Sequence, residues 1–327
     1  MTTRRDELLR ATSEAASVFA RFPVGMRTSF DIVGAVMGLR IPLLFRPLNA
    51  LWGATITVGN KVSGLLVTTK LPLPVQRFTL AHELGHVLLG HHTSLDETIG
   101  FAGRFGPTSR PTEELAADTF ASELLAPRSL MLAASKRNRW TREALADPAN
   151  VYQLALRIGV SFKAACWALA SNEVLPLAAV RELQDHKVKD LKLSLVSRSL
   201  FENPWADVWK LTDADAQSYI EAGPDDVFAF HLEDNASAGF LWELVDIGRH
   251  GTILEERVSD IASYGGSTSR IVLIRFLSTG VHRVVFEHRR PWNKQRLGYI
   301  DIAIDNHGKE PGGFARRFRG QALEVVG

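Results

Sequence analysis

The pentapeptide His82-Glu83-Leu84-Gly85-His86 constrains this chain more than any other stretch. It lies within the run Arg77–Leu89, which also holds Phe78, Leu80, Ala81, Leu84, Val87 and Leu88. Pro74, just upstream, is a start signal. The run predicts a helix that is apolar nearly all round, and such a helix is buried. Residues i and i+4 share one helix face. The fold must therefore take two imidazoles, with a carboxylate beside them, out of water. That is costly without a partner, and a metal ion is the partner that two imidazoles on one face suit. Glu83 is then placed to take a proton from a water that the metal acidifies.

A catalytic zinc site uses three protein ligands and leaves a position open. The third is sought on a second helix, over residues 112–126, with Thr112 as its N-cap and Pro127 ending it. Glu114 and Asp118 share a face there. One carboxylate can ligate the metal while the other accepts the outer N–H of a ligating histidine, fixing its tautomer and orientation. The reading gives the metal to Glu114 and the histidine to Asp118. Glu113 points about 100° round the helix and is read, with Glu123, as solvated charge.

The pairing of R-F-T-L-A-H-E-L-G-H at 77–86 with E-x-x-A-D-x-F-A-x-x-L-L-x-P at 114–127 resembles the ImmA/IrrE family of zinc metallopeptidases, over residues 25–175. The resemblance implies His82, His86 and Glu114 as ligands and Glu83 as general base. It implies zinc, with manganese or iron as other occupants of such ligands according to availability. It implies one specific protein substrate, a helix-turn-helix transcriptional repressor. The strands 54–58 and 65–69 match the small sheet that precedes the active helix in that family, and an edge strand of it can pair with an extended substrate. Residues 65–69 are the expected edge.

Around this core the sequence is that of a globular protein of more than one domain. It has 327 residues, 46% of them hydrophobic and 23% charged. The net charge of +2 argues neither for nor against a nucleic-acid partner, and Arg316-Arg317-Phe318-Arg319 reads as a solvated tail, with phosphate contact as the alternative. No apolar run approaches the ~18 residues that span a membrane. The N-terminus opens an amphipathic helix and Cys166 is the single cysteine, so a cytoplasmic location is expected. Cys166 sits among Ala164, Ala165, Trp167 and Leu169 and reads as core. His91 and His92 read as exposed helix-end residues, with oxyanion stabilisation as the alternative. Residues 151–165 resemble a helix-turn-helix, with Gly159 in the turn and Ser161 as cap. The second helix opens Phe162-Lys163-Ala164-Ala165, poor in the side chains that read bases, so packing rather than DNA binding is expected.

Beyond residue 200 the texture changes to short alternating strands. Asn235-Ala236-Ser237-Ala238-Gly239-Phe240-Leu241-Trp242, Tyr264-Gly265-Gly266-Ser267 and Arg290-Pro291-Trp292 resemble, in order and strand context, the chagasin-like inhibitors of papain-type cysteine peptidases. Those are immunoglobulin-like β-sandwiches whose loops at one end enter the peptidase cleft. The resemblance implies partner binding through Ser237, Gly265, Gly266, Arg290 and Trp292, with a cysteine peptidase or the substrate as partner. Ala236 and Ala238 stand where the first loop usually carries threonines, and Asn293 replaces an acidic residue. Trp242 is read as core. The expected fold class is α+β. A mainly helical peptidase domain with a small sheet (1–138) leads to a helix-turn-helix-like segment (139–175), a linker (176–199) and a β-sandwich (200–327).

Overall fold

The computed structural model describes residues 3–58, 61–91, 95–96, 110–200, 203–259, 268–293 and 295–316. The N-terminal part runs α1 (Arg4–Arg21), α2 (Ile32–Gly38), β1 (Leu43–Arg46), β2 (Gly53–Val58), β3 (Lys61–Thr68), α3 (Leu73–Leu89), β4 (Leu95–Asp96), α4 (Thr112–Leu125) and α5 (Arg128–Arg137). Next come α6 (Pro148–Ile158), α7 (Phe162–Ser171), α8 (Leu177–Gln184) and α9 (Val188–Leu193). The C-terminal part holds β5 (Val208–Leu211), β6 (Tyr219–Glu221), β7 (Val227–Asp234), β8 (Leu241–Asp246), β9 (Gly251–Ser259), β10 (Thr268–Phe276), β11 (Val281–Arg289), β12 (Arg296–Asp305) and β13 (Gly313–Phe314). Among the described residues no single helix is long and apolar enough to cross a membrane.

The helix carrying His82 begins at Leu73, with Pro74 in its first turn, where a missing N–H costs nothing. It lies against a sheet of order β13-β1-β3-β2-β4 and packs with α1 and α4 around one core that includes Phe45, Leu65, Val67, Leu80, Leu84 and Phe120. β3 runs parallel to β1 and antiparallel to β2. Both its edges are taken, so residues 65–69 are not the free edge expected. The four-residue β1 is too short a signal to reveal that neighbour. Thr112 is not an N-cap either: the helix starts there, and Pro111 occupies the cap without a side-chain bond.

The unit α6–α7 has the expected turn, with Gly159 at φ 71° and the Ser161 hydroxyl accepting from Ala164 N. Phe162, Ala164, Ala165 and Cys166 are buried, so this face packs against the protein. The stretch 176–199, read as a linker or as a connecting helix and strand, holds the two short helices α8 and α9. Val180, Leu183 and Leu191 are buried, and Lys192 donates to Ala206 O at 2.8 Å.

The C-terminal strands form two facing sheets, β5-β7-β10-β9 and β6-β12-β11-β8. Alternate residues of each fill the space between them: Trp209, Phe228, Phe230, Val272 and Ile274 meet Trp242, Phe286, Ile300, Ile302 and Ile304. The sandwich is not separate from the helical part. After β12 the chain turns back, and β13 pairs antiparallel with β1, Leu44 opposite Phe314. Glu310 N donates to Gln76 Oε1 at 2.7 Å, and Gln76 Nε2 returns a bond to Glu310 O at 3.3 Å. Ala315 is buried in the helical core. Arg316 bonds to the His307 and Gly308 carbonyls rather than lying in a solvated tail; residues 317–319 lie outside the described residues. On β6, Glu221 accepts from Arg27 Nη1 (2.7 Å), Ser29 Oγ (2.9 Å) and Arg77 Nη1 (2.7 Å). The first turns of α3 are thus bolted to one end of the sandwich.

Candidate metal centre

The site is built by two apolar helices crossing at close range. Gly85 makes this possible: a Cβ there would stand 3.1 Å from Phe120 Cδ1 and 3.3 Å from Ala117 Cα. With only hydrogen at that position, α4 comes close enough to bring Glu114 and Asp118 to the histidines. His82, Glu83, His86 and Asp118 are at most 1% exposed, whereas the Glu114 side chain keeps 21% of its surface open.

Three donor atoms converge. His82 Nε2 and His86 Nε2 are 3.0 Å apart, Glu114 Oε2 is 3.5 Å from His82 Nε2, and Glu114 Oε1 is 3.4 Å from His86 Nε2. Ligands placed about 2.0–2.1 Å from a tetrahedral centre stand roughly 3.3 Å from one another. This triplet therefore has the dimensions of a zinc site, and its nitrogen and carboxylate donors suit that ion. Among the described residues it is the one cluster of this kind.

The outer nitrogens are held as well. His82 Nδ1–H donates to Asp118 Oδ1 at 3.0 Å, leaving Nε2 free to face a metal. Arg110 Nη1 lies 2.7 Å from Asp118 Oδ2 and Arg110 Nη2 lies 3.6 Å from Glu114 Oε2. Burial pushes the Asp118 carboxyl above the ordinary aspartate value, while His82 and Arg110 pull the other way. His86 Nδ1 is 3.0 Å from His91 Nδ1, and His91 Nε2 is 3.2 Å from Glu7 Oε1. His91 is therefore no exposed helix end, since its side chain is 5% exposed. His92 lies outside the described residues.

Glu83 is held apart from the triplet. Thr55 Oγ1 on β2 donates to Glu83 Oε2 at 2.8 Å, and a Cβ at Gly53 of the same strand would stand 2.9 Å from Glu83 Cγ, so only glycine leaves the glutamate its room. Glu113 is exposed, as expected of solvated charge. Thr55, Gly53, Arg110, His91 and Glu7 were missed by sequence reasoning. Only His91, five residues from His86, carried any local signal.

In the sandwich the structure brings Ser237, Arg290 and Trp292 to one end. Arg290 Nε donates to Ala238 O at 2.9 Å, its guanidinium stacks on Phe240, and Trp292 is 75% exposed beside Gly239. Gly265 and Gly266 lie outside the described residues. Trp242 is buried, donating from Nε1 to Glu233 O.

The chain thus joins a helical part that carries a His-His-Glu cluster to a sandwich of two four-stranded sheets. Residues 53–193 match the family model described as the IrrE N-terminal-like domain, Peptidase_M78, so this part of the chain is peptidase-like. No curated protein matches the sequence. Among solved structures, the cysteine protease inhibitor EhICP2 from Entamoeba histolytica is 16% identical, with a TM-score of 0.30 over 32% of this chain and 98% of that one. Amebosin is 18% identical, with a TM-score of 0.26 over 30% and 96%. PbICP-C, solved in complex with falcipain-2, is 18% identical, with a TM-score of 0.20 over 31% and 88%. The sandwich is defined by its own strand order.

Proposed function

We propose that the chain is a zinc-dependent endopeptidase that cuts one specific protein, with the sandwich as its recognition domain. The observation that carries this is the convergence of His82 Nε2, His86 Nε2 and the Glu114 carboxylate beside a separately held Glu83. Asp118 orients a ligand, as a structural site would also require. Glu83 accepts from Thr55, which is not a metal ligand, and a purely structural site has no need of a carboxylate held in that way.

A divalent metal at this triplet supplies Lewis-acid polarisation of a carbonyl and lowers the pKa of water toward neutrality. The chain's own residues do the rest. Asp118 fixes the His82 ring in the Nδ1–H tautomer. Thr55 holds one Glu83 oxygen, which aims the carboxylate. Glu83 takes the proton from the attacking water and returns it to the leaving amine. Burial of Glu83 and both histidines excludes bulk water from that transfer.

The substrate of this reading is a helix-turn-helix transcriptional repressor, as the family resemblance implies. The match of residues 53–193 to a peptidase family supports a protein substrate. A recognition role for the sandwich is supported by its direction. β7 starts at the end bolted to α3 and finishes at Asp234, so the loops carrying Ser237, Arg290 and Trp292 stand about 23 Å away along it. They face outward, available to another protein. The exposed Trp292 beside Arg290 favours a second reading of that end, as a surface that binds or inhibits a papain-type cysteine peptidase, since aromatic and arginine anchors dominate interfaces.

Co-expression with helix-turn-helix repressors encoded beside this gene tests the reading. Wild type is expected to cleave one of them and Glu83→Gln none. Intact repressors in both, with zinc bound, would shift the weight to the cysteine-peptidase reading, which a binding assay of papain-type peptidases would then test.

A further inference from the structure

We propose that helix α1 is part of the metal centre: Glu7 and His91 act as positioning residues for the ligand His86, so that zinc affinity depends on a helix outside the peptidase-like segment 53–193. The inference rests on the assignment of His82, His86 and Glu114 as ligands.

The proton positions follow from that assignment together with the geometry. If His86 offers the Nε2 lone pair to a metal, its ring proton must sit on Nδ1. That atom is 3.0 Å from His91 Nδ1. Two ring nitrogens bond only when one carries a proton and the other does not. His91 Nδ1 is therefore the acceptor, and the His91 proton sits on Nε2, 3.2 Å from Glu7 Oε1. The Glu7 carboxylate fixes the tautomer of His91, and His91 fixes that of His86.

The surroundings are built to hold this chain of bonds. Gly90 adopts the left-handed conformation at φ 68°, and His91 N then donates back to His86 O at 2.9 Å. This turn folds the His91 ring against the ring it serves. Glu7 is 9% exposed on α1. Arg10, one turn further on, donates from Nη1 to Glu7 Oε1 at 3.1 Å and from Nη2 to Leu89 O at 2.7 Å, tying the carboxylate to the end of α3. The His82 arm has the same logic in shorter form, with Asp118 on the imidazole and Arg110 on Asp118. The His86 arm interposes a second imidazole and reaches back 84 residues to α1.

The test is zinc affinity of the full chain by competition with a chromophoric chelator, together with the visible spectrum of the cobalt-loaded protein. His91→Phe and Glu7→Ala are expected to weaken zinc about 10–100-fold, the usual loss when a ligand's partner is removed, and to alter the cobalt bands. His91→Asn keeps an acceptor for His86, and Glu7→Gln keeps one for His91; each is expected to stay within about threefold of wild type with unchanged bands. A mere packing role would weaken His91→Asn, smaller than phenylalanine, at least as much as His91→Phe. If His91→Phe fails to fold, Glu7→Leu against Glu7→Gln, of similar bulk, decides: a weaker leucine variant supports the relay, and equal affinities overturn it. Wild-type affinity in folded His91→Phe and Glu7→Ala overturns it outright. A wild type that takes up no zinc would instead remove the metal assignment, and the relay with it.

Discussion

Gly53→Ala is a perturbation whose size can be worked out in advance. Gly53 opens β2, facing Val67 in the ladder on one side and Asp96 on the other. Its φ is not in the left-handed region, so alanine brings no backbone strain. The added Cβ would stand 2.5 Å from Glu83 Oε1, 2.9 Å from Glu83 Cγ and 2.7 Å from Thr79 Cγ2. Ordinary contact begins at 3.4 Å, so the Glu83 carboxylate must shift by about 0.9 Å (3.4 less 2.5). The strand is held from both sides, so the side chain gives way instead. Overpacking of this kind costs roughly 1–3 kcal/mol of stability, and a misplacement near 1 Å at the reacting groups costs about 10²-fold in rate. The three metal donors are untouched. The expected outcome is a folded variant with wild-type zinc content that cleaves whichever protein the wild type is found to cut about 100-fold more slowly. Cleavage within threefold of wild type, with the fold intact, would refute the claim that the Gly53 and Thr55 backbone and hydroxyl set the position of Glu83.

Other outcomes follow from single residues. Glu221→Ala leaves Arg77 and Arg27 without their shared carboxylate; breaking such a pair costs 3–5 kcal/mol when buried, and the 22% exposure of Glu221 lowers the expected loss in urea unfolding to about 2–3 kcal/mol. Burial, and then the Lys210 ammonium, holds the His231 imidazole down at about 4 from an ordinary 6.5. The unfolded chain therefore binds the extra proton first, and stability is lost as pH falls from 6.5 to 4. Discounted for the ring's partial exposure, that loss is roughly 1–2 kcal/mol, and His231→Phe should remove this slope from urea midpoints measured across the window. Burial pushes the Cys166 thiol up to about 12, so about one thiol in ten thousand is ionised at pH 8. Iodoacetamide should leave the folded chain unmodified over an hour and add once after unfolding.

The parts of this fold readable in the sequence are those written in local periodicity. The i,i+4 spacing of His82 with His86 and of Glu114 with Asp118 put four side chains on two faces, and the structure brings those faces together. The Gly159–Ser161 turn and the alternating strands after residue 200 were legible for the same reason. What was not legible depends on partners far away in the chain. Glu7 meets His91 across 84 residues, and Glu310 meets Gln76 across 234. β13 has two residues, too few for any pattern, yet it joins the C-terminal chain to the first sheet. The segment 177–193 is charged enough to read as a linker, but Val180, Leu183 and Leu191 suffice to bury one face. Arg110 gives no signal until its guanidinium is seen between Glu114 and Asp118.

In the proposed centre His82, His86 and Glu114 hold a metal while Glu83 stands beside it as a base. Metal stoichiometry of wild type, Glu83→Gln and Glu114→Gln, purified in parallel and measured by elemental analysis, decides whether they do. One zinc per chain is expected in wild type and in Glu83→Gln, with most of it lost in Glu114→Gln. Full loading of Glu114→Gln, or loss of the metal from Glu83→Gln, would contradict the assignment.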